Sequence, residues 1–300
     1  MRLNPYCMCC QINKQEQRIR PFADEEKKLI YMKKVLLRFA QAEDTDCAPS
    51  ISVEFKKHFS QFWGTPMEDY TEIKKEFNSL MMNLEEDLRT AIRASEDSLK
   101  EALLYARIGN YIDFAAMAHV DKDQMLSMIQ EENKDPVDSE EYACFLNDLQ
   151  NASSLVYLTD NCGEIVMDKL VIEVLQKRFP HLSITVLVRG QDVVNDATMD
   201  DARMVGLTDI VPVIGNGSDV GGTWLPGMNE ESITLLNQAD VILAKGQGNF
   251  ETLHGCGWNI YYLFLCKCEW FMHMFRAKKF QGMFVNEHRV TTPNDCILTD

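Results

Sequence analysis

No apolar run in these 300 residues approaches the roughly 20 needed to span a bilayer. The nearest candidate, WNIYYLFLCKCEWFMHMF (258–275), carries Lys267 and Glu269 in its middle and reads as a buried strand running into another element. The opening MRLNPYCMCC has no apolar segment of the signal-peptide kind. The expectation is a cytoplasmic chain with no membrane partner, whose ten cysteines are mostly reduced thiols rather than a disulfide framework. Basic charge is scarce: 30 Lys and Arg stand against 46 Asp and Glu, a net charge of −16. That excludes a general basic face for phosphate backbones, so no nucleic-acid partner is expected. A small anionic ligand is not excluded, because a metal or a few local donors can reverse the field. Several nucleotide and nucleophile signatures are also missing. The glycine-rich GNGSDVGG (215–222) has no Gly-Lys-Ser/Thr ending, no Gly-x-Ser-x-Gly occurs, and the six histidines show no paired ligand spacing. A single histidine such as His254 is expected to be a hydrogen-bonded packing residue.

Hydrophobic residues make up 46% of the chain and charged residues 25%, enough for a real core and too few charges for disorder. Residues 1–150 read as a helical domain. Leu29, Met32, Val35, Leu36 and Phe39 fall at helical spacing, as do Ile73, Phe77, Leu80, Leu84 and Leu88. A third helix is expected over 95–109, stopping near Gly109, and a fourth over 122–132. Near residue 151 the character changes. SLVYLT (154–159), SITVLVR (183–189), DIVPVI (209–214) and DVILAK (240–245) read as buried strands, with a later one in NIYYLFLCKC (259–268). Helical patterns separate them, which predicts an α/β domain over 151–300 with a mostly parallel sheet and covered faces. No internal repeat or low-complexity linker interrupts the chain.

Open α/β sheets bind ligands beyond the carboxyl ends of their strands. Each predicted strand runs out into polar residues: Asp160, Asn161, Gly163 and Glu164; then Arg189, Asn195 and Asp196; then the glycine-rich loop; then Lys245, Asn249 and Glu251. Asp160, Asn161 and Asp196 form a hard, all-oxygen donor set of the kind Mg²⁺ or Mn²⁺ prefers. Gly163 suits the sharp turn that adjacent ligands require, and the helix start behind it favours an anion. Lys245 offers a compact positive charge for a phosphate oxygen. Each feature alone has a plainer reading as a helix cap or turn former. Their convergence on one sheet edge points to phosphoryl chemistry.

DNCGEIVMDKL (160–170), RGQDVVNDATMDDA (189–202), ADVILAKGQGNFE (239–251) and the upstream GNYIDF (109–114) also carry a resemblance. The chain resembles the damage-control phosphatase family (domain of unknown function 89), a group once proposed to include an acidic-residue methyltransferase. It is most similar to the prokaryotic-type branch with an N-terminal Cys-x-x-Cys. The resemblance implies a helical N-terminal part on a three-layer, Rossmann-like, mostly parallel α/β domain. It implies a metal-dependent phosphatase for small phosphometabolites such as sugar phosphates or damaged esters. Asp160, Asn161 and Asp196 map onto the metal ligands and Lys245 onto the phosphate-binding lysine. Asp160, Asp196 and Lys245 would be the catalytic groups, acting through a metal-activated water. Asn110, Asp113, Glu164, Asn249 and Glu251 would brace the site or touch substrate. Mg, Mn, Co and Ni would all suit such a site, and oligomeric state stays open.

Cys7 and Cys10 form a Cys-x-x-Cys, half of a structural zinc site whose other half could come from Cys266, Cys268 or His273. Buried reduced thiols are the plainer expectation, and Cys162 reads as a small packing residue. The Met- and aromatic-rich EWFMHMF (269–275) is expected in the core, with a pocket wall or dimer contact as the alternative. Two further functions compete with the phosphatase: S-adenosylmethionine-dependent carboxyl methyl transfer and a non-catalytic metal or nucleotide sensor. The polar DNCGE where a glycine-rich first turn would be needed argues against methyl transfer.

Overall fold

Several helices in the computed structural model, which describes residues 1–112, 127 and 136–290, start at a capping side chain. Asn4 accepts from Cys7 N at the head of α1 (Pro5–Ile19), and Asp24 from Lys27 N at the head of α2 (Glu25–Ala40). α3 (Ala48–Trp63) ends on Gly64 in the left-handed region. These three helices form one compact unit, Met1–Glu68. Its core is Ile19, Tyr31, Val35, Phe39, Ile51, Phe55 and Phe59. The inward stripe of α2 is therefore Tyr31, Val35 and Phe39, while Leu29 and Leu36 are exposed. α2 carries apolar residues on two faces, and the aromatic one meets Phe55 and Phe59: Phe39 lies edge-on to Phe55 at 5.2 Å and Tyr31 to Phe59 at 5.9 Å.

The second unit is Asp69–Asp300. It takes in α4 (Thr71–Ala94), α5 (Ser98–Gly109) and α6 (Ser139–Asn151) as well as the sheet, so the compact units divide at 68/69 and not where helix gives way to strand near 150. The reason is burial. Phe77 and Leu88 of α4, Leu99 and Ala102 to Ala106 of α5, and Phe145 of α6 join the same apolar cluster as the strands, with Ile73, Leu80 and Leu84 packed against it. Asp113 and most of the expected helix over 122–132 lie outside the described residues.

After α6 come β1 (Ser154–Leu158), α7 (Glu164–Arg178), β2 (Ser183–Val188), α8 (Met199–Met204), β3 (Val213–Gly215), α9 (Glu230–Gln238), β4 (Val241–Lys245), α10 (Gly246–Leu253), β5 (Ile260–Leu265), α11 (Glu269–Phe275) and β6 (Gly282–Asn286). The sheet order is β3-β2-β1-β4-β5-β6, with the first five strands parallel and β6 antiparallel to β5. This doubly wound order reverses between β1 and β4, which opens a crevice at their carboxyl ends. β1, β4 and β5 are buried almost throughout, as expected of strands covered on both faces. β3 is shorter than the expected 209–214 run. Leu207–Asp209 forms a 3₁₀ turn, and Pro212, with no N–H, can only accept at the ladder, from Val186 N at 2.9 Å. β6 was not expected at all. EWFMHMF forms α11, with Trp270, Phe271 and Met274 buried and Phe271 edge-on to Phe250 and Phe264 at 5.5 Å each, which bears out the core reading. No described helix is long and apolar enough to cross a membrane.

The core makes a measurable contrast. Phe145 is fully buried, 4.8 Å from the Tyr261 ring and 5.5 Å from Phe284. Phe145→Ala is expected to cost about 3–5 kcal/mol in denaturant unfolding. Leu37→Ala, at a side chain 56% exposed, should stay within about 0.5 kcal/mol of the parent.

Candidate active site

Two short loops are sewn together at the switch point. Thr159 N still donates to Leu187 O at 3.1 Å, so Asp160 is the first residue past the ladder between β1 and β2. Ala197 N then donates to Asp160 O, and Cys162 N to Asn195 O, both at 2.7 Å, and Asn161 bridges Asp196 in antiparallel fashion. This stitch brings Asp160 and Asn161 beside Asp196. Two turns permit it. Gly163 takes φ +69°, where a Cβ would meet Ile112 Cδ1 at 2.9 Å, and Val194 takes φ 49°, an unusual conformation for a β-branched residue.

The side chains form one connected network. Asp160 Oδ2 accepts from Asn161 Nδ2 at 2.7 Å and Asn110 Nδ2 at 2.9 Å. Glu164 Oε2 accepts from the same two amides at 2.9 and 3.1 Å, while its Oε1 accepts from Lys245 Nζ at 2.8 Å. Asn110 Oδ1 accepts from Leu265 N at 3.2 Å, which fixes its amide to β5. Arg189, at the end of β2, lies between the two aspartates: Nε donates to Asp196 Oδ2 at 2.6 Å and Nη2 to Asp160 Oδ1 at 3.4 Å. Gly246 approaches from β4 at φ +78°, so closely that a Cβ would sit 1.9 Å from Asp160 Oδ2.

Lys245 departs from expectation. It is fully buried, and its three N–H groups are spent on Glu164, Asp168 Oδ1 at 2.6 Å and Ala106 O at 2.9 Å. Its ammonium is held inside the protein by those three acceptors. Burial opposes its charge, yet the carboxylates of Asp168 and Glu164 outweigh that and hold its pKa up. Asp168 shows the opposite balance. Burial pushes its carboxyl up to about 6 against the pull of Lys245, and its Oδ2 has no hydrogen-bonding partner. Tyr157 OH donates to its Oδ1 at 2.7 Å.

Asn249 likewise turns out to be internal scaffolding. Nδ2 donates to Lys245 O at 2.6 Å and Thr159 O at 3.1 Å, and Oδ1 accepts from Thr223 at 2.7 Å. This ties the ends of β1 and β4 to the glycine-rich loop. Glu251 is half-buried on α10, outside the carboxylate network, with its charge felt by Cys268. Cys162 is fully buried, its thiol held neutral chiefly by that burial, as befits a packing residue. His254 stacks on Phe250 and pairs with Glu287 at 3.0 Å, the expected structural role. Cys7 is buried, its Sγ accepting from Asn4 Nδ2 at 3.1 Å, whereas Cys10 is exposed on the same helix.

Arg189 was visible at a strand end and opens the 189–202 motif, but no role was assigned to it. Asp168 was missed too, although its spacing four residues after Glu164 puts both on one helix face. Within the connected set, four carboxylates (Asp160, Glu164, Asp168, Asp196) face two cations (Arg189, Lys245). The amide of Asn161 turns Nδ2 to the carboxylates and Oδ1 away from them. Among the described residues no three His, Cys, Asp or Glu converge as metal ligands, and a cation held by Asp160, Asp196 and the Asn161 amide oxygen would need that amide turned over from the orientation seen here. That donor set fits a hard divalent ion. An open cavity of ≈ 220 Å³ adjoins the second loop, lined by Gly190, Gln191, Asp192, Thr198, Met199 and Asp200.

The chain is similar to known proteins over most of its length. A damage-control phosphatase of Archaeoglobus fulgidus is 26% identical over 280 residues, 90% of this chain and 93% of that protein. An uncharacterized protein of Methanocaldococcus jannaschii is 29% identical over 211 residues, 67% of each. A damage-control phosphatase of Pyrococcus horikoshii is 31% identical over 168 residues, 56% of this chain and 58% of that one. The crystal structure of a DUF89 family protein from Pyrococcus horikoshii shares the fold, with a TM-score of 0.73 at 24% identity, covering 96% of this chain and 99% of the other. The family model of the damage-control phosphatase ARMT1-like domain matches residues 3–281. The chain belongs to that family.

Proposed function

We propose that the chain is a cytoplasmic, metal-dependent phosphatase of small phosphorylated metabolites, among them sugar phosphates and damaged phosphate esters. The observation that carries this reading is the meeting of Asp160, Asn161 and Asp196 at the switch point, with both aspartates gathered around Arg189. The family membership and the names of the archaeal relatives support it.

In this reading Asp160, Asn161 and Asp196 hold Mg, Mn, Co or Ni. Bound there, the ion would supply Lewis acidity toward a phosphoryl oxygen and lower the pKa of a water. The protein's own groups do the rest. Asn110 and Glu164 fix Asp160 and Asn161 from behind, and Lys245 fixes Glu164. Asp160 or Asp196 accepts a hydrogen bond from the attacking water and so aims it. The N-terminus of α10, beginning at Gly246 beside Asp160, offers backbone donors to phosphoryl oxygens. Lys245 thus serves as a positioning residue and not as a phosphate ligand.

The first test is phosphate release from a panel of sugar phosphates and an aryl phosphate, using metal-stripped protein with each divalent ion added back. Asp160→Ala and Asp196→Ala are each expected to lower kcat/KM by about 100-fold or more. Folded parent protein that stays inactive with every ion would overturn the reading for these substrates. Gly246→Ala should displace Asp160 and abolish turnover. Gly255→Ala also forces a side chain onto positive φ (+95°), but with nothing within 4 Å it should keep activity. Lys245→Met strands Glu164 and Asp168 in the interior, so a loss of about 3–5 kcal/mol in denaturant unfolding is expected. A phosphate ligand at the surface would lose KM and leave stability alone.

A further inference from the structure

We infer that Arg189 is the resident counter-ion of the Asp160–Asp196 pair and competes with the divalent cation for it, so that its guanidinium sets the affinity of the site for metal. The inference rests on the reading of Asp160, Asn161 and Asp196 as a cation site.

Arg189 is among the largest fully buried side chains of the protein, 1% exposed. A buried guanidinium always carries its charge, so it must lie against acceptors. Those it reaches are the two carboxylates that would face a metal, Asp196 at 2.6 Å and Asp160 at 3.4 Å. The oxygens matter. Asp160 Oδ2 is already claimed by Asn110 and Asn161, and the guanidinium faces the other oxygen, Oδ1. The contact is lopsided: short and strong to Asp196, at the outer limit of a hydrogen bond to Asp160. The backbone of Arg189 is anchored by its N–H to Ala197 O at 2.9 Å and by its bridge to Thr198. Any withdrawal of the guanidinium therefore comes from side-chain rotation, with the loops left in place.

Two carboxylates gathered in the interior repel each other, and a cation between them offsets that repulsion. The same cation, within hydrogen-bond reach of both ligands and poorly screened, lowers the affinity for a second positive ion. Lys245 cannot play this part, since its donors are spent on Glu164, Asp168 and Ala106. Removing the charge at 189 should thus weaken the metal-free fold and strengthen metal binding together. A merely structural arginine would do only the first.

The experiment is calorimetric titration of the EDTA-stripped full chain with Mn²⁺, for the parent, Arg189→Met and Arg189→Lys, with melting curves in EDTA and in saturating Mn²⁺. Arg189→Met should bind Mn²⁺ about tenfold or more tightly. It should melt lower than the parent in EDTA and recover most of the difference with Mn²⁺. Arg189→Lys, which keeps the charge, should bind within a few-fold of the parent. If Arg189→Met is unfolded in EDTA yet refolds with Mn²⁺, the ion is replacing the guanidinium and the inference stands. Equal or weaker binding by Arg189→Met, or a variant unfolded even with saturating Mn²⁺, overturns it while the parent's own binding still supports a cation site. A parent that takes up none of Mg²⁺, Mn²⁺, Co²⁺ or Ni²⁺ removes both the cation site and the inference.

Discussion

The ammonium of Lys245 is the point on which the rest of the second unit turns. It closes β4, receives Glu164 and Asp168 from α7, and reaches Ala106 O on α5. One buried cation thereby joins the sheet to two helices on the side where the site forms. Apolar side chains in place of the lysine and both carboxylates together could pack as well or better, because burying ions costs nearly as much as their attraction returns, whereas removing the lysine alone strands two buried carboxylates. What they could not do is orient Asn161 and Asn110, as Glu164 does when Lys245 holds it. The ion cluster specifies positions more than it adds stability.

The positions of Asp160 and Asp196 depend on backbone more than on side chains. The bonds from Ala197 N to Asp160 O and from Cys162 N to Asn195 O lock two loops that are otherwise independent connections of a parallel sheet. They leave the carboxylates nowhere to separate, so the repulsion between them must be met by a counter-charge. Arg189 meets part of it from the end of β2. The sheet supplies the reason for the location. Only between β1 and β4 do the connections run in opposite directions, so only there does the edge stay open to a ligand.

Much of this was legible in the chain itself. Apolar runs marked four of the parallel strands closely, because strands covered on both faces have nothing polar to interrupt them. The polar residues beyond the ends of β1, β2 and β4 do meet in one connected network. Long helices such as α4 showed their inward face through Ile73, Phe77, Leu80, Leu84 and Leu88. The misses have physical causes. α2 bears two apolar stripes, and periodicity alone cannot say which one meets the aromatic rings of α3. β3 was drawn too long because a proline and a 3₁₀ turn consumed its first half. β6 pairs at the sheet's edge with a short, half-polar sequence, so its strand character lies in its partner.

The structure brings Asp160, Asn161, Asp196, Asn110, Glu164 and Lys245 of the expected residues into one connected network, but their arrangement differs from what spacing suggested. Spacing shows which polar groups leave which strand, but not how deep each one lies, and depth decides function here. Lys245 was expected at a phosphate and Asn249 to brace the site or touch substrate. The donors of both are engaged within the protein. Arg189 was passed over because an arginine at a strand end is ordinary until a second loop brings Asp196 against it. A pair of like charges held together by main-chain bonds makes the nearest cation matter, and which cation that is, guanidinium or metal, is decided by their competition for the same two carboxylates.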